Sequence, residues 1–252
     1  MITVLRCRGI GEPMGDDGML ANVTKHLDPK RFVVREVPWA AQYGPVPTPF
    51  GSAFDTSLRT GRAILLDYID RDPNPVVLLG YSGGSALAGN VAAEIGKGQH
   101  PHLDIRGVGL ISDPLQPSWH STKRGAWGIA GDRTIPGRFP VWYVMDPADV
   151  ICCCPSDSPL RTLADQSAAF SLVDPRAWGA DLLGRLTSGR WQAVKVDWLN
   201  IPATLAQYGQ AKHDAKGYLF RGDHTSYAVR RFPNSPLTYC EWLADRINRI
   251  EE

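Results

Sequence analysis

Apolar positions along this chain alternate between two spacings, and the switches between them mark the elements. Ile2 to Cys7, with Ile2, Val4, Leu5 and Cys7 apolar, predicts a first strand, and it ends in the glycine-rich "RGIGEPMGDDG". Asp17 to Leu27 is weakly helical. "RFVVREV", Arg31 to Val37, predicts a second strand. "PWAAQYGPVPTPFG" is a loop, with four prolines between Pro38 and Pro49. Ser52 to Tyr68 returns to helical spacing through Phe54, Leu58, Ala63, Leu65 and Leu66, and "DRDPNP" breaks it. Val76 to Leu79 is short and wholly apolar, as in a strand buried on both faces of a parallel sheet. Ser85 to Ile95 is a helix of small residues. "DIRGVGLISDP" is a fourth strand, and Val141 to Met145 is the core of a fifth.

From Pro155 to about Trp198 the pattern changes to several short helices with no convincing strand. The α/β pattern resumes around "AKGYLFRGDHTSYAV". Thr238 to Ile250, with Trp242, Leu243, Ile247 and Ile250 on one face, predicts a C-terminal helix. Strand and helix in alternation predict an α/β fold with a doubly wound, mostly parallel sheet. The expected organisation is one domain over 1–252 with a helical linker or cap over 155–198. There is no internal repeat and no low-complexity tract.

Composition narrows the classes. The formal net charge of the 252 residues is +1, so no electrostatic footprint favours nucleic acid or an anionic membrane. No apolar run approaches the about 20 residues of a membrane span. The N-terminus "MITVLRCRGIGEP" lacks the basic and apolar regions of a secretory signal. Cys7, Cys152, Cys153, Cys154 and Cys240 are odd in number and show no zinc-finger spacing. Reduced thiols and no metal or cofactor are the expectation.

The chemistry concentrates at "VVLLGYSGGSALAGNVAAEI", Val76 to Ile95. Gly80-Tyr81-Ser82-Gly83-Gly84 fits G-x-S-x-G between a strand and a helix. A serine on so sharp a turn projects its Oγ from the sheet edge, and small residues two places before and after it avoid collision. The helix starting there aims N–H groups at the same point, so Gly83 N–H can donate to a developing oxyanion. The structural alternative is an ordinary βα turn with Ser82 as helix N-cap. A nucleophilic serine needs a base and an orienting acid, which follow it in the order acid, then histidine. Asp146 and Asp149 both lie just past the fifth strand, and Asp113 in "ISDP" is the next candidate if neither is the acid. His26, His100, His102 and His120 precede them. His213, in "GQAKHDAKG", reads as solvated surface, whereas His224 lies in the loop "RGDHTSYAV" ahead of the last helix. The second oxyanion donor is expected from backbone around Gly9 to Gly11. "RGIGEPMG" does not spell a dinucleotide-binding G-x-G-x-x-G, because Met14 occupies the third glycine's place.

"CRGIGEP", "LLGYSGG", "GVGLISDPLQP" and "MDPADVICCCP" together resemble the cutinase-like serine esterases, and most closely the lysin B enzymes of phages that infect mycobacteria. The resemblance implies a cutinase-like α/β-hydrolase fold with the helical stretch placed between acid and histidine. It matches "ADVIC" to the family's acid segment, which selects Asp149 over Asp146. It implies a catalytic set of Ser82, Asp149 and His224, with Gly83 N–H and a donor at Ile10 holding the oxyanion. Gly83 stands where the family commonly has glutamine. The implied activity is hydrolysis of the ester between mycolic acids and arabinogalactan, by an enzyme made in the host cytoplasm and acting on the envelope at lysis. The alternatives are a general lipase or cutinase-like esterase, and a non-catalytic envelope-binding module on a decayed esterase fold.

Overall fold

The computed structural model describes all residues except Asp16, Pro45, Pro49, 169–199 and Glu252. In chain order the strands are β1 (Ile2–Cys7), β2 (Phe32–Glu36), β3 (Val76–Tyr81), β4 (Ile105–Ile111), β5 (Ala126–Trp127), β6 (Val141–Val144) and β7 (Cys154–Pro155). The helices are α1 (Ala21–Thr24), α2 (Phe54–Arg71), α3 (Gly83–Gly96), α4 (Leu160–Ser167), α5 (Ile201–Phe220) and α6 (Tyr239–Asn248). All five strands expected from the apolar pattern enter one sheet, in the order β2-β1-β3-β4-β6, and every neighbouring pair is parallel.

Parallel strands require crossovers: α3 joins the neighbours β3 and β4, and α2 carries the chain from the edge strand β2 past β1 to β3. The alternation of side chains along each strand then divides the core in two. Leu5 and Cys7 of β1, Leu78 of β3, and Val108 and Leu110 of β4 pack with Leu65 of α2 and Leu87 and Val91 of α3. Ile2 and Val4, Val77 and Leu79, and Ile111 face the other way, onto Val23 of α1 and Leu243 and Ile247 of α6. Each fully buried side chain of this kind stabilises the fold by about 1.5–3 kcal/mol. α6 starts at a capping box: Glu241 N–H donates to Thr238 Oγ1 (3.2 Å) and Thr238 N–H donates to Glu241 Oε2 (2.7 Å).

The structure departs from the sequence reading in three places. The weakly helical Asp17–Leu27 contains only the four residues of α1. The α/β pattern does not resume at Ala211, because 201–220 is one continuous helix, α5. Asn200 caps it by accepting from Ala203 N–H (3.2 Å), and Pro202 sits in the first turn, where a missing N–H costs nothing. The apolar run ahead of His224 is therefore the last turn of a helix. Third, β5 and β7 form a small antiparallel ladder that no periodicity of two-residue strands could announce. Arg161 of α4 holds it, with its guanidinium 4.1 Å from the Trp127 ring and donating to the carbonyls of Cys154, Pro155, Trp127 and Gly128.

Of the expected linker or cap over 155–198, β7's Pro155 and α4 are seen as described. The apolar residues from Phe170 to Trp191 lie outside the described residues. No helix among those described is long and apolar enough to cross a membrane.

Candidate active site

β3 delivers Ser82 to the carboxyl edge of the sheet, in the turn that opens α3. The residue has φ 54° and ψ −120°, a backbone conformation that a side chain rarely adopts. Bonds on each side enforce it: Ser82 N–H donates to Ile111 O (2.9 Å), and Ser82 O accepts from Ser85 N–H (2.9 Å). The flanking glycines are required by close approach. A Cβ at Gly84 would stand 1.9 Å from the Cys7 carbonyl oxygen, and one at Gly80 2.6 Å from the Gly84 carbonyl oxygen. Ser82 makes no side-chain capping bond to α3, which removes the N-cap alternative. Its Oγ instead lies 2.8 Å from His224 Nε2.

His224 follows α5 in a loop, and the residue is 6 % exposed. Tyr81 and Tyr218 each place a ring centroid 5.1 Å from the imidazole, and Tyr81 Oη–H donates to the His224 carbonyl (2.9 Å). His224 Nδ1 lies 2.9 Å from Asp149 Oδ2. Asp149, on the loop after β6, is fully buried. An ionised carboxylate removed from water needs donors, and it has them. Ile151 N–H donates to Oδ1 (3.0 Å), while Ser112 Oγ–H (2.5 Å) and Tyr227 Oη–H (2.8 Å) donate to Oδ2. Burial, and then the charge of Asp149, push the Tyr227 phenol well above its ordinary value, so it remains a donor.

The other candidates fall elsewhere. Asp146 Oδ1 accepts from Ala148 N–H (2.9 Å), and its Oδ2 pairs with Arg230 Nη1 (2.7 Å). Arg230 Nη2 reaches Asp223 Oδ1 (2.6 Å), and Arg221 holds the second oxygen of Asp223 (2.8 Å). Asp146 thus clasps the acid loop to the histidine loop and does not reach the imidazole. Asp113 is buried against Arg133, and burial raises its pKa. His213 is exposed on α5.

The glycine-rich exit of β1 is braced by its own side chains. Glu12 accepts from Gly9 N–H (2.7 Å) and Met19 N–H (2.8 Å), and Arg8 donates to the carbonyls of Glu12 and Trp39. Gly11 N–H donates to Ala41 O (3.0 Å). Both neighbours of Ile10 are therefore engaged, whereas Ile10 N–H has no hydrogen-bond partner among the described residues. Gly83 N–H, at the first position of α3, has no acceptor inside its helix either. The two residues touch: a Cβ on Gly83 would lie 2.7 Å from Ile10 Cγ1. The side chain expected from the resemblance at position 83 has no room while Ile10 stands there.

All five cysteines are free and buried. Burial pushes every thiol up, Cys154 to about 11 and Cys240 to about 12, so they are neutral packing groups. Among the described residues no group of three or more His, Cys, Asp or Glu side chains is placed to hold a metal ion. A surface cleft of about 370 Å³ lined by Leu58, Arg62, Leu87 and Glu94 contains none of the site residues.

A parallel sheet wound on both faces, a strained serine between β3 and α3, an acid after β6 and a histidine ahead of the last helix together define an α/β-hydrolase fold. Lysin B from Mycobacteriophage D29 shares that fold, with a TM-score of 0.59 over 98% of each chain at 18% sequence identity. An acetyl xylan esterase aligns over 75% of this chain and 98% of its own, at 17% identity and a TM-score of 0.47. A cutinase-like protein from Cryptococcus sp. aligns over 77% and 97%, at 16% identity and 0.46. No protein-family model matches the sequence, and no curated protein does.

The sequence reading did not find Ser112, Tyr227, Tyr81 or Tyr218. Tyr227 is three residues past His224 in "HTSY", but a tyrosine there is an ordinary core residue. Ser112 carries a signal only in hindsight of the topology: like Ser82, it ends an apolar strand.

Proposed function

We propose that this chain is a serine esterase whose nucleophile is Ser82, of the lysin B type, cleaving the ester that joins mycolic acids to arabinogalactan in the host envelope during phage lysis. The observation that carries the chemistry is the unbroken path from Ser82 Oγ through His224 to Asp149, at 2.8 and 2.9 Å. His224 Nε2 takes the Ser82 proton as Oγ bonds to the ester carbonyl carbon. Asp149 holds the imidazole and stabilises its charge. The unengaged N–H groups of Ile10 and Gly83 donate to the oxyanion. The carbon–alkoxy bond then breaks, the leaving alcohol takes the proton from His224, and water releases the acyl group by the same steps.

The substrate class rests on the resemblance of "MDPADVICCCP" and its companions to that family, and on apolar surface. Ile201, Leu205 and Tyr208 are exposed at successive turns of α5, whose last turn carries Tyr218 over His224 and the exposed Phe220. Such a surface suits a long-chain lipid ester. An assembled hydrogen-bonded path favours catalysis over a decayed binding module.

The test uses two substrates: p-nitrophenyl butyrate, and purified mycolyl-arabinogalactan with release of free mycolic acid as the readout. Wild type should cleave both, and Ser82→Ala neither. Turnover of the small ester alone would support a general esterase and remove the mycolyl assignment. Equal activity in Ser82→Ala would remove the esterase assignment to this serine.

A further inference from the structure

We infer that Ser112 is a positioning residue that selects the tautomer of His224, an inference resting on the reading of Ser82 as nucleophile. Ser112 ends β4 as Ser82 ends its neighbour β3, and it too has a positive φ, 52°. A non-glycine residue in that region is strained and persists only where its surroundings hold it. Here Ser112 N–H donates to Val144 O (2.9 Å), tying the turn to β6, from which the acid loop leaves. The side chain is fully buried, and its Oγ touches both partners of the charge path: Asp149 Oδ2 at 2.5 Å and His224 Nδ1 at 3.1 Å.

A hydroxyl has a single proton to give. The shorter contact, to a carboxylate that cannot donate, takes it. The lone pairs of Ser112 Oγ are then what face Nδ1, beside the Asp149 oxygen. Nδ1 is therefore bordered by two acceptors and is the nitrogen that carries the proton. Nε2 is left bare toward Ser82, the only tautomer in which it can act as base. With Asp149 alone, one acceptor would restrain the ring; Ser112 supplies a second from a different strand. Tyr227 also donates to Asp149, but the other partners of its hydroxyl are Asp146 N–H and Cys152 Sγ and not the imidazole, so it does not discriminate between the ring nitrogens.

The experiment compares wild type, Ser112→Ala and Ser112→Gly for kcat and KM on p-nitrophenyl butyrate, melting temperature, and the far-downfield proton resonance of the His224 Nδ1–H. Glycine accepts φ 52° without strain, so the Gly variant separates lost hydroxyl from lost backbone conformation. Both variants should lose about tenfold in kcat, the scale of one hydrogen bond to a charged group, with KM within about twofold of wild type. Both should also shift or broaden the Nδ1–H resonance. A kcat that recovers in Ser112→Gly, or a resonance unmoved in both variants, would make Ser112 a structural residue and overturn the inference. The resonance is read without turnover. A wild type that shows it but hydrolyses no ester would therefore fail the esterase reading separately.

Discussion

At Ser82 and its neighbours, chemistry and backbone strain coincide. The serine's left-handed φ is tolerable because Gly80 and Gly84 let β3, α3 and the end of β1 approach more closely than any Cβ permits. That much was legible in the sequence as G-x-S-x-G between a strand and a helix, although an ordinary βα turn with Ser82 as N-cap fitted the same residues. The two aspartates after β6 were not separable by local pattern; only the resemblance selected Asp149. The structure shows why their environments differ. Asp149 is fully buried and bonded to His224, whereas Asp146 is paired with Arg230. Asp149→Asn should therefore reduce kcat by about 10³-fold or more with little change in melting temperature, because an amide disturbs the tautomer it should hold. Asp146→Asn should keep most activity and lose about 1 kcal/mol of stability, the worth of a part-exposed ion pair. Parallel measurements of ester turnover and thermal unfolding on the two variants separate the roles. Equal, mild losses in kcat would contradict them.

Among the elements, β1, β3 and β4 were legible because a strand buried on both faces reads as a largely apolar stretch, and the edge strands β2 and β6 because β-branched and aromatic residues cluster in them. α5 was not, because much of its surface is exposed and its polar residues, including His213, read as a solvated loop. Its start depends on the Asn200 cap and its end on Arg221, neither of which shows in hydrophobic periodicity. What fixes the loop after α5 is an ion network: Arg230 bridges Asp146 on the acid loop and Asp223 beside His224. Burial alone would raise the pKa of Asp223, but hydrogen bonds from Arg230 and Arg221 outweigh it and hold it below the ordinary carboxylate value. The sign follows from linkage. A depressed carboxylate contributes stability that is present above its unfolded pKa and is lost as pH falls through the lower folded one. Asp223→Asn should thus melt below wild type near neutrality, and the gap should close as the pH drops below about 4. Melting curves of both proteins from pH 7 to pH 3 check this; a gap of constant size would mean that the clasp does not contribute through charge.

Across the whole molecule, the sheet order brings residues distant in sequence to one edge. Ile10 leaves β1, Ser82 leaves β3, Ser112 leaves β4 and Asp149 follows β6, all at the carboxyl ends of parallel strands. His224 then reaches the same edge from the far end of the chain, its carbonyl held by Tyr81 and its loop tied to the core by the buried Tyr227 three residues on. A linear reading could nominate Ser82 and His224 from their order, and Asp149 once the resemblance was added. It could not nominate Ser112, whose role exists only because β4 lies beside β3. The central claim is that this edge is an esterase site with Ser82 as its nucleophile. Its most direct test is labelling with a fluorophosphonate, which forms a stable bond only with an activated serine, followed by mass mapping of the labelled peptide. One phosphonyl group is expected, on Ser82, with labelling abolished in Ser82→Ala and slowed by orders of magnitude in His224→Ala. A folded wild-type protein that takes no label, or takes it on another serine while still cleaving ester, would contradict it.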